Sequence, residues 1–501
     1  MADEADQTRR WLMNLGGAAI LSSTLPPTAS HGQAARSTGP SPVDDGPHGS
    51  TSIAPATAAL ADYVSGALDR ELPAEVVART KLHVLDTLAA MVSGSRLKPG
   101  KLAARYVESL GGRPQAIVIG TDILTSAVNA AMANGMAAHA DETDDTNPVG
   151  PVHLGCAAVS AALAMAEVAG RSGQDLLRAV TVGYDIGARM ASALGAGEEP
   201  RRHSPSCLIS TFVAAASAAA ILRLDSRQVR HTFSYAGQQA SGIGFWTRDR
   251  EHVEKAFDFA GMGARNGVMA ATMVAAGFSA VEDPFSGAEN IYTALAHKPA
   301  PEKLIADLGS SHAVFGTTIK KWSVGAPLQS VLDALAVLLQ EPGVTADNIK
   351  HIRVDMPTAS LRIVDNNSVP DLCLQHLVAL MLADRGANFA SVHDVARMGD
   401  PKVLAIRQLV ELLPSDELQK ALPARQAIVR IETKDGRSLS HRTYVVRGTA
   451  GNPMDAREVE DKARDLIAPV LGADRTIALV AAIGGLDRLD SVLSLRPLLQ
   501  A

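Results

Sequence analysis

An acidic segment with two histidines is the densest group of chemically useful side chains in the sequence. Residues 139–146 read HADETDDT and His153 follows, so four acids and two histidines lie within fifteen residues. Burying so many ionisable groups is costly unless they are paired or functional. Three interpretations are open from the residues alone: a metal site with carboxylate and imidazole ligands, an acid/base site that also hydrogen-bonds a substrate, or a solvated loop with helix-capping acids.

A basic segment could bind an anion. Arg201, Arg202 and His203 stand just ahead of an apolar helical stretch at 208–223. Cations and a histidine at the start of a buried helix suit an anionic ligand. A surface loop of ordinary basic residues is the alternative interpretation.

Two lysines lie in segments with less specific patterns. Lys255 precedes a glycine-containing stretch at 261–267. That stretch has no proper strand before it, so it is a poor dinucleotide-binding fingerprint, and close helix packing is the better use of its glycines. Lys320 opens the segment KKWSVGAPLQ, a Gly/Pro turn before a helix start that could present the lysine to an anion. Cations and histidines on such distant segments together predict a pocket for a small polycarboxylate.

The elements that must position these groups are of two kinds. From about residue 51 to 300, apolar residues recur at three- and four-residue spacing, which indicates helices. A mixed pattern follows, and helices return at 452. We therefore predict a mainly α protein, with a discontinuous all-helical domain (51–300 and 452–501) and a smaller inserted α+β lid (301–451). Within the lid, the predicted strands are 349–356, 427–432 and 438–446, and the predicted helices are 326–340, 372–384 and 402–412.

Composition disfavours several classes of protein. The chain has 501 residues, of which 47% are hydrophobic but only 4% aromatic, so small aliphatic side chains must build its core. Such side chains suit helix packing better than a β-sandwich. The net charge of -6 offers no basic surface to nucleic acid. Cys156, Cys207 and Cys373 form no CxxC pair, which disfavours disulfides and zinc knuckles. The apolar runs are too short for stable membrane insertion.

Residues 1–50 have the pattern of an export signal. Arg9 and Arg10 precede a short apolar run at 15–21, and small residues follow up to about Ala34. The paired arginines are similar to those of a twin-arginine signal, although the usual Phe and Lys do not follow them. We predict a periplasmic or secreted protein, or a cytoplasmic one if the signal is not used. A disordered tail with a chance arginine pair is the alternative.

A series of motifs, in order along the chain, resembles the MmgE/PrpD family, which includes 2-methylcitrate dehydratase, cis-aconitate decarboxylase and iminodisuccinate epimerase. The motifs are LDTLA at 85–89, HADETDDT at 139–146, VGYDI at 182–186 and AGQQASG at 236–242. His203, Lys255 and Lys320 also stand at positions that match the family. The resemblance runs from about residue 57 to about residue 486.

The resemblance implies a helical domain with an α+β lid, a homodimer, no metal or organic cofactor, and an active site between the domains. It also implies proton transfer alpha to a carboxylate of a small polycarboxylate, which suits an imidazole whose pKa lies near the working pH. The predicted catalytic residues are His203, His153 and Lys255. The predicted substrate-binding residues are Glu142, Asp145, Thr146, Arg202, Lys320, Gln329 and His376.

Four positions depart from the family pattern. Glu142 stands where an aspartate is usual, and His153 lies one residue further along than in several relatives. Gln329 replaces a lid histidine, and His376 replaces a tyrosine. These departures predict a substrate different from the well-known ones.

Three functions are compatible with these residues. The first is a cofactor-independent hydro-lyase, in which His203 or His153 moves the proton and lysines hold the carboxylates. The second is an epimerase or decarboxylase of a similar polycarboxylate. The third is an exported binding protein that kept the pocket and lost the chemistry, an alternative that Gln329 and His376 keep open.

Overall fold

The computed structural model describes residues 53–150, 152–197 and 203–501. The predicted export signal and the predicted substrate-binding residue Arg202 lie outside these residues. The described part is mostly helical with a small sheet, so the prediction of a mainly α fold is confirmed. Within it, no helix is both long and apolar enough to cross a bilayer.

Ala-rich helices form the larger of the two main hydrophobic cores of the described residues, and a third, small cluster includes Val107 and Met132. Their small side chains allow close approach of the helices, and the helix Pro205–Ile221 is buried along its whole length. The longer helices in the first part of the chain are α1 (Pro55–Ser65), α2 (Ala74–Gly94), α3 (Lys98–Leu110), α4 (Ala127–Ala138), α5 (Gly155–Ala169), α6 (Gly173–Leu194), α7 (Pro205–Ile221), α8 (Ser226–Gln239) and α9 (Met262–Ala275). A two-stranded antiparallel pair, β1 (Ala116–Ile117) and β2 (Leu124–Thr125), lies between α3 and α4 in the chain.

Glycines allow α9 to pack directly against α7. A Cβ atom at Gly263 would lie 2.5 Å from Ser210 Cβ, and one at Gly267 would overlap the backbone of Ala215. A larger residue at either position would force the two helices apart, because only glycine lacks the Cβ atom. The glycines of the 261–267 stretch therefore serve close helix packing, as the sequence indicates.

A four-stranded sheet carries the smaller core. Its strands have the order β4-β3-β5-β6, with β3 parallel to β4 and the other neighbours antiparallel. The strands are β3 (Ile349–Met356), β4 (Val410–Pro414), β5 (Ala427–Thr433) and β6 (Ser438–Thr443). The longer helices of this part are α10 (Gln329–Leu338), α11 (Thr358–Val364), α12 (Leu374–Asp384) and α13 (Pro401–Arg407).

The predicted strands of the lid agree with β3, β5 and β6 to within a few residues at their ends. The predicted helix at 402–412 is wrong in its second half, because α13 ends at Arg407 and the chain continues as β4 along the edge of the sheet. There it pairs with β3, and this tertiary pairing overrides the local helical pattern.

After the sheet, the chain returns to the larger core with α14 (Ala456–Leu471) and α15 (Ala473–Gly484). Lys462 of α14 donates a 2.6 Å hydrogen bond to Asp86 Oδ1 of α2, and both side chains are buried. The larger core thus draws on residues 60–319 and 454–499, and the smaller core on residues 324–431. The domain boundaries near 300 and 452 stay a prediction.

Candidate active site

The acidic segment begins where α4 ends and is almost entirely buried. Ser126 caps the N-terminus of this helix, where its side chain accepts a hydrogen bond from the Asn129 amide, and His139 is the C-terminal cap. Residues 139–145 are then buried, although most of them are polar or charged. Because buried ionisable groups need partners, the interpretation of this segment as a solvated loop is wrong.

Two imidazoles share one carboxylate oxygen. The Nδ1 atoms of His139 and His153 each lie 3.0 Å from Asp144 Oδ1, and the two ring centroids are 4.5 Å apart. Burial opposes the ionisation of Asp144, but its interactions with His139 and His153 outweigh burial and hold its pKa well below the usual range. An ionised Asp144 that accepts from both Nδ1 atoms leaves each Nε2 atom to face other groups.

Two lysines surround the carboxylate next to this pair. Lys255 donates to Glu142 Oε1. Lys320, which has no exposed surface, donates a 2.6 Å hydrogen bond to the backbone oxygen of Glu142. Its ammonium also lies 3.9 Å from Glu142 Oε2 and 3.9 Å from Asp144 Oδ1. Burial raises the pKa of Glu142, but Lys255 and Lys320 outweigh it and hold that pKa well below its ordinary value.

A third imidazole, His252, joins the cluster from the segment before Lys255. Its Nε2 atom lies 4.0 Å from Glu142 Oε1, and its ring is 5.3 Å from that of His139. Burial and the neighbouring Lys255 lower the pKa of His252 to about 3, so the ring is neutral at ordinary pH. Its backbone adopts the left-handed region, with φ of 59°, which is uncommon for a residue with a Cβ atom.

Aromatic rings form one wall of the cluster. Phe259 stacks on His139 with a centroid distance of 4.7 Å, and Trp246 meets the edge of Phe259 at 4.6 Å. Phe259 lies in a single π-helical turn, Phe257–Gly261, and such turns are frequent at functional sites. The indole of Trp246 donates to Ser204 Oγ at 3.2 Å, which brings the residue after His203 to this wall. Among the described residues, no polar contact joins His203 itself to the cluster.

The α+β part contributes its own ionisable groups to the cluster. His393, in the short helix Phe389–His393, places Nε2 2.8 Å from Asp141 Oδ2. Burial lowers the pKa of His393, but Asp141 outweighs burial and raises it to about 9. Asp371 is also buried, and burial raises its pKa to about 6, while His393 and Lys255 oppose that shift and Asp141 and Glu142 reinforce it. Groups of both cores therefore interact at this site.

Two predicted substrate-binding residues, Asp145 and Thr146, make contacts within the protein. The Asp145 carboxylate accepts from Tyr184, from His83 at 2.9 Å and from the amide of Gly155 at 3.1 Å. Thr146 forms a backbone bridge to Thr318, with N···O distances of 3.0 and 2.9 Å. These contacts fix the acidic segment against α2, α5 and the segment that leads to Lys320.

Gln329 and His376 lie among lid residues. The Gln329 amide donates to the backbone oxygens of Trp322 and Val324 and accepts from the Trp322 amide, so these contacts hold the turn after Lys320. His376 is fully buried, and neither ring nitrogen has a partner among the described residues. Burial and the nearby Arg407 lower its pKa to about 4. The assignment of these two residues to substrate binding stays a prediction.

The cluster contains two groups of side chains with the spacing of metal ligands. They are His139, Glu142 and His252, and His139, Asp144 and His153, each with ligand atoms within 4.8 Å of one another. Lys255, however, pairs with Glu142, and Lys320 approaches both Glu142 and Asp144. Ammonium groups already supply the positive charge that a divalent cation would bring, so this donor set fits an anionic organic ligand better than a metal ion.

Six residues of the cluster were not among the predicted site residues: His139, Asp141, Asp144, His252, Asp371 and His393. His139, Asp141 and Asp144 belong to the acidic segment, but the sequence does not show which side chains of this segment face one another. His252 lies three residues before Lys255. Asp371 and His393 stand in lid segments whose sequence gives no local signal, because only the tertiary fold brings them to the acidic segment.

The fold and the site together define a helical and α+β protein with a buried cluster of histidines, carboxylates and lysines. The family model described as the MmgE/PrpD N-terminal domain matches residues 58–304, and the model described as the MmgE/PrpD C-terminal domain matches residues 322–483. The chain belongs to the MmgE/PrpD family, which confirms the resemblance seen in the sequence.

Curated relatives match nearly the whole chain at low identity. The cis-aconitate decarboxylase of Homo sapiens is 26% identical over 470 residues, which cover 89% of this chain and 94% of the relative. The cis-aconitate decarboxylase of Aspergillus terreus is 24% identical over 483 residues, which cover 88% of this chain and 95% of the relative. The cis-aconitate decarboxylase of Mus musculus is 23% identical over 472 residues, which cover 89% of this chain and 93% of the relative.

Proposed function

We propose that this chain is a cofactor-independent lyase that acts on a small polycarboxylate. The observation that carries the proposal is the shared contact of His139 and His153 with Asp144 Oδ1, beside the ammonium groups of Lys255 and Lys320. Imidazoles oriented by a carboxylate can move a proton, and buried lysines can hold carboxylates and offset negative charge that develops during the reaction.

His153 is the preferred acid/base group in this proposal. With Nδ1–H donated to Asp144, the lone pair of the neutral ring is left on Nε2, the atom that can take or return a proton at a substrate carbon. The same argument applies to His139, but that residue has no exposed surface and its ring is covered by Phe259. His203 remains the second candidate because its segment adjoins the aromatic wall.

The relatives favour loss of carbon dioxide over loss of water, since those named above are decarboxylases. In such a step the bond to one carboxyl carbon breaks, CO2 leaves, and the electron pair left on the neighbouring carbon takes a proton from the imidazolium. In the hydro-lyase alternative, the imidazole removes a proton alpha to a carboxylate and hydroxide leaves from the next carbon. In an epimerase, the proton returns on the opposite face.

One assay separates these reactions. The protein is incubated with a panel of polycarboxylates in deuterated water while CO2 release, change in unsaturation and deuterium incorporation are measured. CO2 release indicates a decarboxylase, new unsaturation without CO2 indicates a hydro-lyase, and exchange with neither indicates an epimerase. Stabilisation by an acid without any of the three would contradict the proposal and support the binding protein.

The role of His153 is tested by His153→Gln, with His351→Gln, at a partly exposed position of β3, as the matched control. We expect the first variant to lose about two to four orders of magnitude in turnover and the control to keep its rate. His203→Ala is assayed in parallel, and a larger loss there than in His153→Gln would move the acid/base role to His203.

We also propose that the protein is exported and that it forms a homodimer. Export is supported by Arg9 and Arg10 ahead of the short apolar run, and the dimer by the resemblance to the family. Cell fractionation of the full-length chain and of an Arg9→Lys, Arg10→Lys variant tests export, which should fail only in the variant. Light scattering of the purified protein tests the dimer.

A further inference from the structure

Carboxylates of the chain already face the lysines that the proposed function assigns to substrate carboxylates. Glu142 accepts from Lys255 through Oε1, and its Oε2 atom lies 3.9 Å from the Lys320 ammonium. Asp144 Oδ1 also lies 3.9 Å from the Lys320 ammonium. Any anion that enters the site must therefore share or displace these contacts.

The described ionisable groups of the cluster balance one another. Lys255, Lys320 and His393 carry positive charge, since Asp141 raises the pKa of His393 to about 9. Asp141, Glu142 and Asp144 carry negative charge, since their partners outweigh burial and hold their pKa values below the ordinary ones. His252 is neutral, with a pKa of about 3. The described cluster thus holds little net positive charge for a polyanion.

Asp371 shifts this balance further toward negative charge. Its side chain is buried, its pKa of about 6 leaves it mostly ionised at neutral pH, and it interacts with Asp141 and Glu142. The ion pair of Lys462 with Asp86 beside the acidic segment is internally compensated. Transferring a highly charged acid into such a buried site is costly unless each of its negative charges is paired with a cation of the protein.

The length of the Glu142 side chain explains why it reaches Lys255. Lys320 anchors the backbone of this residue by donating a 2.6 Å hydrogen bond from its ammonium to the carbonyl oxygen. From that fixed backbone, the glutamate side chain, which is one methylene longer than an aspartate, extends its carboxylate to Lys255. The carboxylate lies where a substrate carboxylate would otherwise find its cation.

We infer that Glu142 takes the place of one substrate carboxylate on Lys255, and that the substrate of this site is a dicarboxylate rather than a tricarboxylate. This inference rests on the proposed function. It differs from the activity named for the relatives, because cis-aconitate carries three carboxylates. Lys320 then remains to hold a carboxylate of the substrate. Beside Lys255, where Glu142 already supplies the negative charge, the substrate places a neutral group.

Two matched pairs of acids test the inference on the purified wild-type protein. Citraconate is cis-aconitate with one carboxymethyl group replaced by methyl, and citramalate has the same relation to citrate. Binding is measured by calorimetry and turnover by the assay described above. We expect the dicarboxylate of a pair to bind or react at least about ten-fold better than its tricarboxylate. A preference for the tricarboxylates overturns the inference but leaves the lyase standing, whereas no binding and no turnover with any acid overturns both.

The role of Glu142 is tested by Glu142→Gln, with Glu254→Gln as the matched control at an exposed position near Lys255. Removing the charge of Glu142 leaves Lys255 without its partner. We therefore expect the tricarboxylate to gain affinity by about ten-fold relative to the dicarboxylate, with no such change in the control. An equal effect on both acids overturns the inference. If Glu142→Gln does not fold, the comparison of the wild-type acid pairs decides alone.

Discussion

At the scale of single residues, Asp144 is the centre of the site. Its Oδ1 atom accepts from His139 and His153 at 3.0 Å and lies 3.9 Å from the Lys320 ammonium. No other described carboxylate of the cluster contacts two imidazoles. The orientation of both rings, and therefore the position of their Nε2 atoms, depends on this one side chain.

We predict that Asp144→Asn lowers kcat by about two to four orders of magnitude while the protein still folds. The amide is close in size to the carboxylate but cannot stabilise two imidazoles as an anion does. Steady-state kinetics and circular dichroism measure the two effects. Asp461→Asn, at an exposed position of α14, is the control. A kcat within about ten-fold of wild type would remove Asp144 from the mechanism.

His393 should make the stability of the protein depend on pH. Its pKa of about 9 in the folded chain exceeds the value of about 6.5 expected when unfolded. Its contribution is therefore fully present below about pH 6.5 and is lost as the pH rises through about 9. We predict that the free energy of unfolding of wild type exceeds that of His393→Gln by about 3 kcal/mol at the acid end of this range, and that the difference shrinks toward alkaline pH.

Chemical denaturation of both proteins between about pH 6 and pH 10 measures this difference. His441→Gln, on strand β6, is the control for loss of a lid histidine. A difference that stays constant over the whole range would show that the ion pair of His393 with Asp141 does not stabilise the folded chain.

At the scale of elements, the turn after Lys320 is held by a side chain that the sequence assigns to the substrate. Gln329 opens α10 and uses its amide to bind the backbone of Trp322 and Val324. These bonds fix the segment that begins with Lys320, so Gln329 acts on the site through the shape of this turn.

We predict that Gln329→Leu lowers the free energy of unfolding by about 1–3 kcal/mol, because buried backbone groups lose their partners. Expressed as a free energy, the change in KM should be smaller than the loss of stability. Thermal unfolding and steady-state kinetics provide the two measurements, and Gln340→Leu, an exposed residue just after α10, is the control. A large rise in KM with unchanged stability would instead support the contact with substrate that the sequence predicts.

The sequence predicts elements better than it predicts which of them meet. The alternation in β3, β5 and β6 identifies strands because each has one buried face, whereas β4 was mistaken for helix because its assignment depends on pairing with β3. The acidic segment was recognised from its composition alone. Its division into Asp144, which holds imidazoles, and Asp145, which holds Tyr184 and His83, depends on atom positions that no local pattern encodes.

At the scale of the whole molecule, α14 joins distant parts of the chain. Lys462 donates to Asp86 Oδ1 at 2.6 Å and to the backbone oxygen of Thr143 at 3.0 Å. It thereby connects α2, the acidic segment and the helices that follow the sheet. The pair is almost inaccessible to water, so its loss leaves an uncompensated charge.

We predict that Lys462→Met lowers the free energy of unfolding by about 3–5 kcal/mol, because Asp86 is then buried without its cation. The double variant Lys462→Met, Asp86→Leu should recover much of this loss, since neither charge remains. Denaturant unfolding of the wild type, both single variants and the double variant provides the cycle. Equal losses in the double variant and in Lys462→Met would contradict a charge effect and indicate lost packing.

The contact of Lys462 with the acidic segment also bears on how the protein is made. The two residues that it joins are 319 positions apart, so Thr143 leaves the ribosome long before Lys462 has been translated. Until α14 emerges, Asp86 has no cation and the acidic segment lacks one of its supports. Nascent chains that stall inside the lid therefore cannot contain a finished site, and enzymatic activity should arise only as synthesis of the final helices is completed.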